Sequence, residues 1–241
     1  MQSEIEMAVL RAIEAMQERL GDELKIDDMA RAALFSKFHF SRVFQRVTGL
    51  SPGRFLSAMR LEEAKRLLSE TPYPVTEISV RVGYSSVGTF SSRFKSSVGV
   101  SPTDYRRRLR FAPVPAKQPA LVGAGARASV SGTVESEPTD RPVFAGLFPG
   151  PIQQGGPVRC AVLDRPGPFV LRDVPLGSWY LMAQAETATG VQHIGSTGPL
   201  TVRPGTTTLR ADVRLRPRHR FDPPVLLALQ DLRALAERFA A

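Results

Sequence analysis

Cysteine is almost missing from this chain. Cys160 is the one thiol in 241 residues, so no internal disulfide can form and no paired-cysteine metal or redox motif exists. Histidine is scarce as well. His39, His193 and His219 stand far apart, with no HExxH pattern and no phosphate-cradling glycine motif near them, so no metal, cofactor or catalytic residue is expected and the chain does not read as an enzyme. Long apolar runs are absent too: no stretch approaches the roughly 18 residues a membrane span needs. The N-terminus carries Glu4 and Glu6 where a signal peptide would carry base, so the expectation is a cytoplasmic protein with no membrane partner. Acid is the minority charge, 23 Asp and Glu against 32 Lys and Arg, giving +9 and a pI near 10.4. That balance favours an anionic partner, nucleic acid before membrane surface. The excess is spread along the chain, since residues 1–110 hold a net +5 and the remainder +4.

What is present falls into two grammars. Residues 1–110 carry helical periodicity broken at Gly21, Gly49, Gly83 and Gly99. Ile5, Val9, Ile13, Met16 and Leu20 make one apolar stripe, and Asp27 offers an N-cap for a short second helix. A third helix is expected over about 36–47. A long fourth helix starts at Ser51-Pro52, where the hydroxyl can take orphan N–H groups and proline at the first turn loses none. Then the pattern repeats fifty residues on. "SRVFQRVTGLSPGRF" (41–55) overlies "SSRFKSSVGVSPTDY" (91–105), matching Phe44 with Phe94, Gly49 with Gly99 and Ser51-Pro52 with Ser101-Pro102. A short helix, a tight turn and a second helix with small, polar and basic residues is a helix-turn-helix, here written twice. Two such readers on one frame can reach successive major grooves, roughly 34 Å apart. Phe40, Phe44, Phe90 and Phe94 fall on the inward face and are expected in the core.

The text "FHFSRVFQRVTGLSPGRFLSAMRLEEAKRLLSE" with "VTEISVRVGYSSVGTFSSRFKSSVGVSPTDYRR" resembles the DNA-binding region of the AraC/XylS family of bacterial transcription regulators. The resemblance implies base contacts from Phe38, Ser41 and Arg42 in the first reader and from Val87, Gly88, Thr89, Ser91 and Ser92 in the second. Arg42 is the sharpest candidate, because a guanidinium can bind guanine O6 and N7 together. The second set is small and poor in donors, which points to methyl contacts, shape and phosphate anchoring. Lys37, Arg46, Arg93 and Lys95 are candidate phosphate contacts. Bland alternatives stand beside these: Phe38 as a half-buried aromatic, Arg93 in an internal ion pair, and "RRRLR" (106–110) as a solvated helix end instead of a phosphate grip. Double-stranded DNA is the expected partner. RNA polymerase, a small-molecule effector and a second copy of the chain are further candidate partners, and whether transcription rises or falls stays open. In most relatives of this kind the helical region comes last; here it comes first.

From about residue 112, "APVPAKQPALVGAGARA" reads as a linker. Seven short apolar segments between Gly and Pro follow, the pattern of an antiparallel β-sandwich. Within them "GPFVLRDVPLGSWYLMAQA" resembles transthyretin-like or carboxypeptidase-regulatory-like modules. The expected plan is an all-α double helix-turn-helix domain over 1–110, a linker over 111–127, an antiparallel β-sandwich over 128–221 for effector sensing or assembly, and a C-terminal amphipathic helix over 222–241. Assembly without any effector is the alternative reading of the sandwich. Phe144, Phe148, Phe169, Trp179 and Tyr180 are core residues or the lining of an effector pocket, and Cys160 is a small core residue.

Overall fold

A computed structural model describes residues 2–110, 128–136, 141–187 and 190–226, in two units. The expected linker over 111–127 lies outside the described residues. Among these, the helical unit comprises residues 2–110 with 219–226, and the β unit takes the described residues from 128 to 218.

Seven helices follow the helical grammar: α1 (Gln2–Glu18), α2 (Ile26–Ala32), α3 (Lys37–Thr48), α4 (Pro52–Glu70), α5 (Val75–Arg81), α6 (Val87–Val98) and α7 (Pro102–Arg110). Val9, Ile13 and Met16 of the α1 stripe are buried, while Ile5 and Leu20 at its ends are half-buried. The repeat holds in the packing. Phe40, Phe44 and Phe55 stack in sequence at 5.3 and 5.4 Å between ring centroids, and Phe90, Phe94 and Tyr105 reproduce the chain at 5.7 and 5.7 Å. Gly49 and Gly99 end α3 and α6 at φ 75° and 95°, a left-handed backbone that costs glycine nothing.

Local signals were less faithful at the caps. The N-cap of α2 is Lys25, not Asp27, because the Asp28 carboxylate accepts the Lys25 N–H at 3.0 Å while Asp27 turns to Lys37. Ser101 caps α7 through the Asp104 N–H, but the Ser51 hydroxyl makes no such bond at α4. The two starts differ at their fourth residue, where Asp104 accepts from Ser101 at 2.7 Å and the first copy has Arg54.

Leu34, in the turn between α2 and α3, holds φ 58° with its side chain 78% exposed, where the second copy has Gly83 at φ 81°. A left-handed non-glycine residue costs about 1–2 kcal/mol, and glycine's freedom in the unfolded chain returns part of that. Leu34→Gly is therefore expected to stabilise the helical unit by about 0.5–1 kcal/mol, read as a higher urea midpoint at unchanged slope. A lower midpoint would show that the leucine side chain is held by something.

Two arginines carry non-local ties. Arg60 of α4 donates to the carbonyls of Leu20 (3.0 Å) and Asp22 (2.6 Å), and its pKa is lowered by burial. Its guanidinium also lies 2.6 Å from where a Gly83 Cβ would stand, so the first copy's entry loop meets the second copy's turn around one side chain. Arg106 of α7 donates to the carbonyls of Leu68, Thr71 and Tyr73 and closes the C-terminal end of α4.

The helical unit is completed from far along the chain. Leu226, 3% exposed, joins the second copy's core with Leu61, Phe90 and Phe94, and Lys65 of α4 donates to the Leu226 carbonyl at 2.6 Å. Arg220 meets Glu14 of α1 at 3.4 Å. The expected helix over 222–241 therefore begins as an irregular strap over 223–226, and its remainder lies outside the described residues.

The β unit holds β1 (Ala128–Glu135), β2 (Val143–Phe148), β3 (Arg159–Leu163), β4 (Pro168–Val174), β5 (Gly177–Glu186), β6 (Gln192–Val202), β7 (Thr208–Arg210), β8 (Val213–Arg214) and β9 (Arg216–Pro217). One sheet runs β4-β1-β7 with β8 also on β1; the other runs β3-β2-β5-β6-β9. Their facing residues, including Val130, Leu147, Phe169, Leu171, Leu181 and Val213, form one apolar core. The expected all-antiparallel arrangement fails at β1, which pairs in parallel with β7 and β8. Residues 208–214 are split into β7 and β8 because Asp212 leaves the ladder: its carboxylate accepts the Thr133 N–H at 2.8 Å and its carbonyl accepts from Thr197. Pro175-Leu176 connects β4 to β5 across the two sheets, with the Trp179 indole N–H donating to the Pro175 carbonyl at 2.9 Å.

Candidate nucleic-acid interface

An amphipathic helix packed on one side must present the other, and α3 and α6 follow that rule. Phe40, Val43 and Phe44 anchor α3, while Phe38, Arg42, Gln45 and Arg46 recur at helical spacing on its solvent side. Phe38 is 84% exposed, which removes the half-buried alternative and leaves an aromatic ring in water at the first turn. The Ser41 hydroxyl donates back to the Lys37 carbonyl at 3.0 Å, leaving its lone pairs outward. Arg42 and Arg46 are exposed and have no hydrogen-bond or ion-pair partner among the described residues. Lys37 differs, since its ammonium lies 3.2 Å from the Asp27 carboxylate and joins α3 to α2.

On α6, Phe90 and Phe94 are buried while Val87, Gly88, Thr89, Ser92, Arg93 and Lys95 are exposed and Ser91 is half-buried. Ser86 caps the helix, accepting the Thr89 N–H at 3.4 Å. Gly88 stands where the first copy has Phe38, and a Cβ there would meet only the Ser86 hydroxyl at 3.7 Å, so this side of α6 is open to close approach. Arg93 forms no ion pair among the described residues, and neither does Lys95.

The two faces thus have different chemistry. The first offers a guanidinium that can grip a guanine edge and a ring that can lie on thymine methyls; the second offers methyls, hydroxyls and two free cations. The run 106–110 contributes less than its charge suggests, as Arg106 is consumed at the end of α4 and Arg107 pairs with Asp104 at 2.7 Å. Arg54, which the sequence pattern did not mark, is exposed in the first turn of α4 with no partner among the described residues. Only its proximity to the Ser51-Pro52 start hinted at a role.

Among the described residues, no helix is long and apolar enough to cross a membrane, and no group of three or more His, Cys, Asp or Glu is placed to hold a metal ion. Burial pushes the Cys160 thiol up to about 12, so it stays protonated and unreactive at neutral pH.

A family model described as a helix-turn-helix domain matches residues 29–108. An uncharacterized HTH-type transcriptional regulator of Haemophilus influenzae is 36% identical over 98 residues, 41% of this chain and 33% of that protein. The chain thus spans about one third of that relative's length. Regulatory protein SoxS of Salmonella typhimurium is 35% identical over 97 residues, 40% of this chain and 91% of that protein. Among solved structures, the DNA-binding domain of AdpA, the global transcriptional factor, in complex with a target DNA, is 30% identical with a TM-score of 0.41, covering 42% of this chain and 94% of that one.

Proposed function

Because the chain belongs to the AraC-type helix-turn-helix transcriptional regulators, we propose that its helical unit binds double-stranded DNA sequence-specifically, with α3 and α6 entering two adjacent major grooves. The observation that carries this reading is the repeated design of α3 and α6: each buries a phenylalanine pair and leaves cations without internal partners, Arg42 and Arg46 on one, Arg93 and Lys95 on the other. Arg42 with Phe38 and Ser41 reads bases in the first half-site. Val87, Gly88, Thr89, Ser91 and Ser92 read the second through methyls and shape, and Lys37, Arg46, Arg93 and Lys95 hold phosphates. The β unit, read as a sandwich of transthyretin-like kind, is the regulatory half.

Selection of bound duplexes from a randomised pool by the full chain tests the proposal. A bipartite site with half-sites about one helical turn apart is expected. Enrichment of a single half-site, or of none, sinks the double-reader model. A second reading, in which the β unit assembles copies of the chain, draws on the exposure of Val170, Leu176 and Val191. It requires a dimer that persists at low concentration without ligand.

A further inference from the structure

The five-stranded sheet has two apolar faces. Leu181, Ala183 and Ala185 of β5 point into the core shared with the other sheet, so Tyr180, Met182 and Gln184 alternate onto the opposite side. There Phe144, Phe148, Cys160 and Met182 form a separate cluster with Val162 and Tyr180 against it, the two phenylalanine rings 6.4 Å apart. The loop leaving β2 folds back onto this side: a Cβ on Gly146 would meet the Phe144 ring at 2.7 Å and Pro157 at 3.1 Å, and Ile152 and Gln153 within the loop are buried.

One amide sits in this apolar setting with nothing to bond. Gln184, directly opposite Phe144 in the β2–β5 pair, is 1% exposed, and neither its Oε1 nor its Nε2 has a partner among the described residues. A buried amide without a partner is costly enough that folded proteins rarely keep one without a use for it. The nearest charge, Arg159 beside Cys160, donates to the carbonyls of Arg172 and Val158, so the setting suits a neutral ligand better than an ionised one that would lose its hydration.

We infer that this face of the β unit is a binding site for a neutral, flat small molecule with a carboxamide-like edge, one acceptor for the Gln184 Nε2 and one donor for its Oε1. The aromatic cluster takes the flat faces of the molecule, and the Gln184 amide selects the edge. Such a ligand is the effector if the β unit is the regulatory half, as read above.

The test is thermal unfolding of the full chain with millimolar benzamide, benzoate or acetophenone, which share a ring but offer a neutral donor and acceptor, a charge, and an acceptor alone. Benzamide is expected to raise the melting temperature of the β unit by about 2–4 °C, and the other two by less than half of that. Gln184→Leu keeps the volume and removes the orphan amide; it is expected to melt at or above the wild type and to lose the benzamide response. Gln184→Met, read in the same way, guards against a packing fault particular to leucine. No benzamide shift, equal shifts from all three probes, an undiminished response in both variants, or variants that melt well below the wild type would each overturn the site. No DNA enters this measurement. A chain that responds to benzamide but selects no duplex keeps the site and sinks the regulator; one that selects a duplex but ignores benzamide does the reverse.

Discussion

Replacing Arg42 by alanine is expected to weaken binding to the selected site by about 1–3 kcal/mol, five-fold to more than a hundred-fold, and to erase preference at one base pair of the first half-site. The arginine is exposed on α3 with no partner among the described residues, so its loss leaves the fold intact and the effect belongs to the interface. The same change at Arg46, one turn further along, is expected to weaken all sequences alike and to reduce the slope of log affinity against log salt by about one. Affinities measured on the selected site, on single-base variants and across a salt series separate the two. A uniform loss for Arg42→Ala would reassign it to a phosphate.

Replacing Phe94 by alanine is expected to act through the core. Phe94 is fully buried and touches both Phe90 and Tyr105, so truncation costs the helical unit about 3–5 kcal/mol. The first copy has its own stack of Phe40, Phe44 and Phe55, so the damage should centre on α6. Circular dichroism should show helix melting at lower temperature, and a footprint should lose the second half-site before the first. An unaltered melting curve with a complete footprint would mean that the second copy is not a packed reader.

Much of this was legible in the chain because it is local. Helical spacing placed the four phenylalanines inward, and the glycines fifty residues apart marked both left-handed stops, since each depends on only a few neighbouring residues. Charge was the poorer guide. Whether a cation is free depends on what comes near it in space, so Lys37 held by Asp27, Arg106 held by three carbonyls and Arg54 held by none of the described residues look alike as text. The β unit shows the same limit, because short apolar segments announce strands but not which neighbour each will pair with. The parallel pairing of β1 with β7 and β8 joins segments some eighty residues apart. The orphan amide of Gln184 was invisible for a related reason: a lone Gln in an aromatic strand carries no mark of which face it will occupy.

The strap that ends at Leu226 changes how the chain must be made. A ribosome releases the seven helices first, but the core beneath α6 lacks one of its apolar side chains until the entire β unit has emerged. Domains generally fold as they appear, from the N-terminus onward. Here the reader appears first and is finished last, so the moment at which the second copy becomes fully packed is set by synthesis of the β unit and not by its own helices.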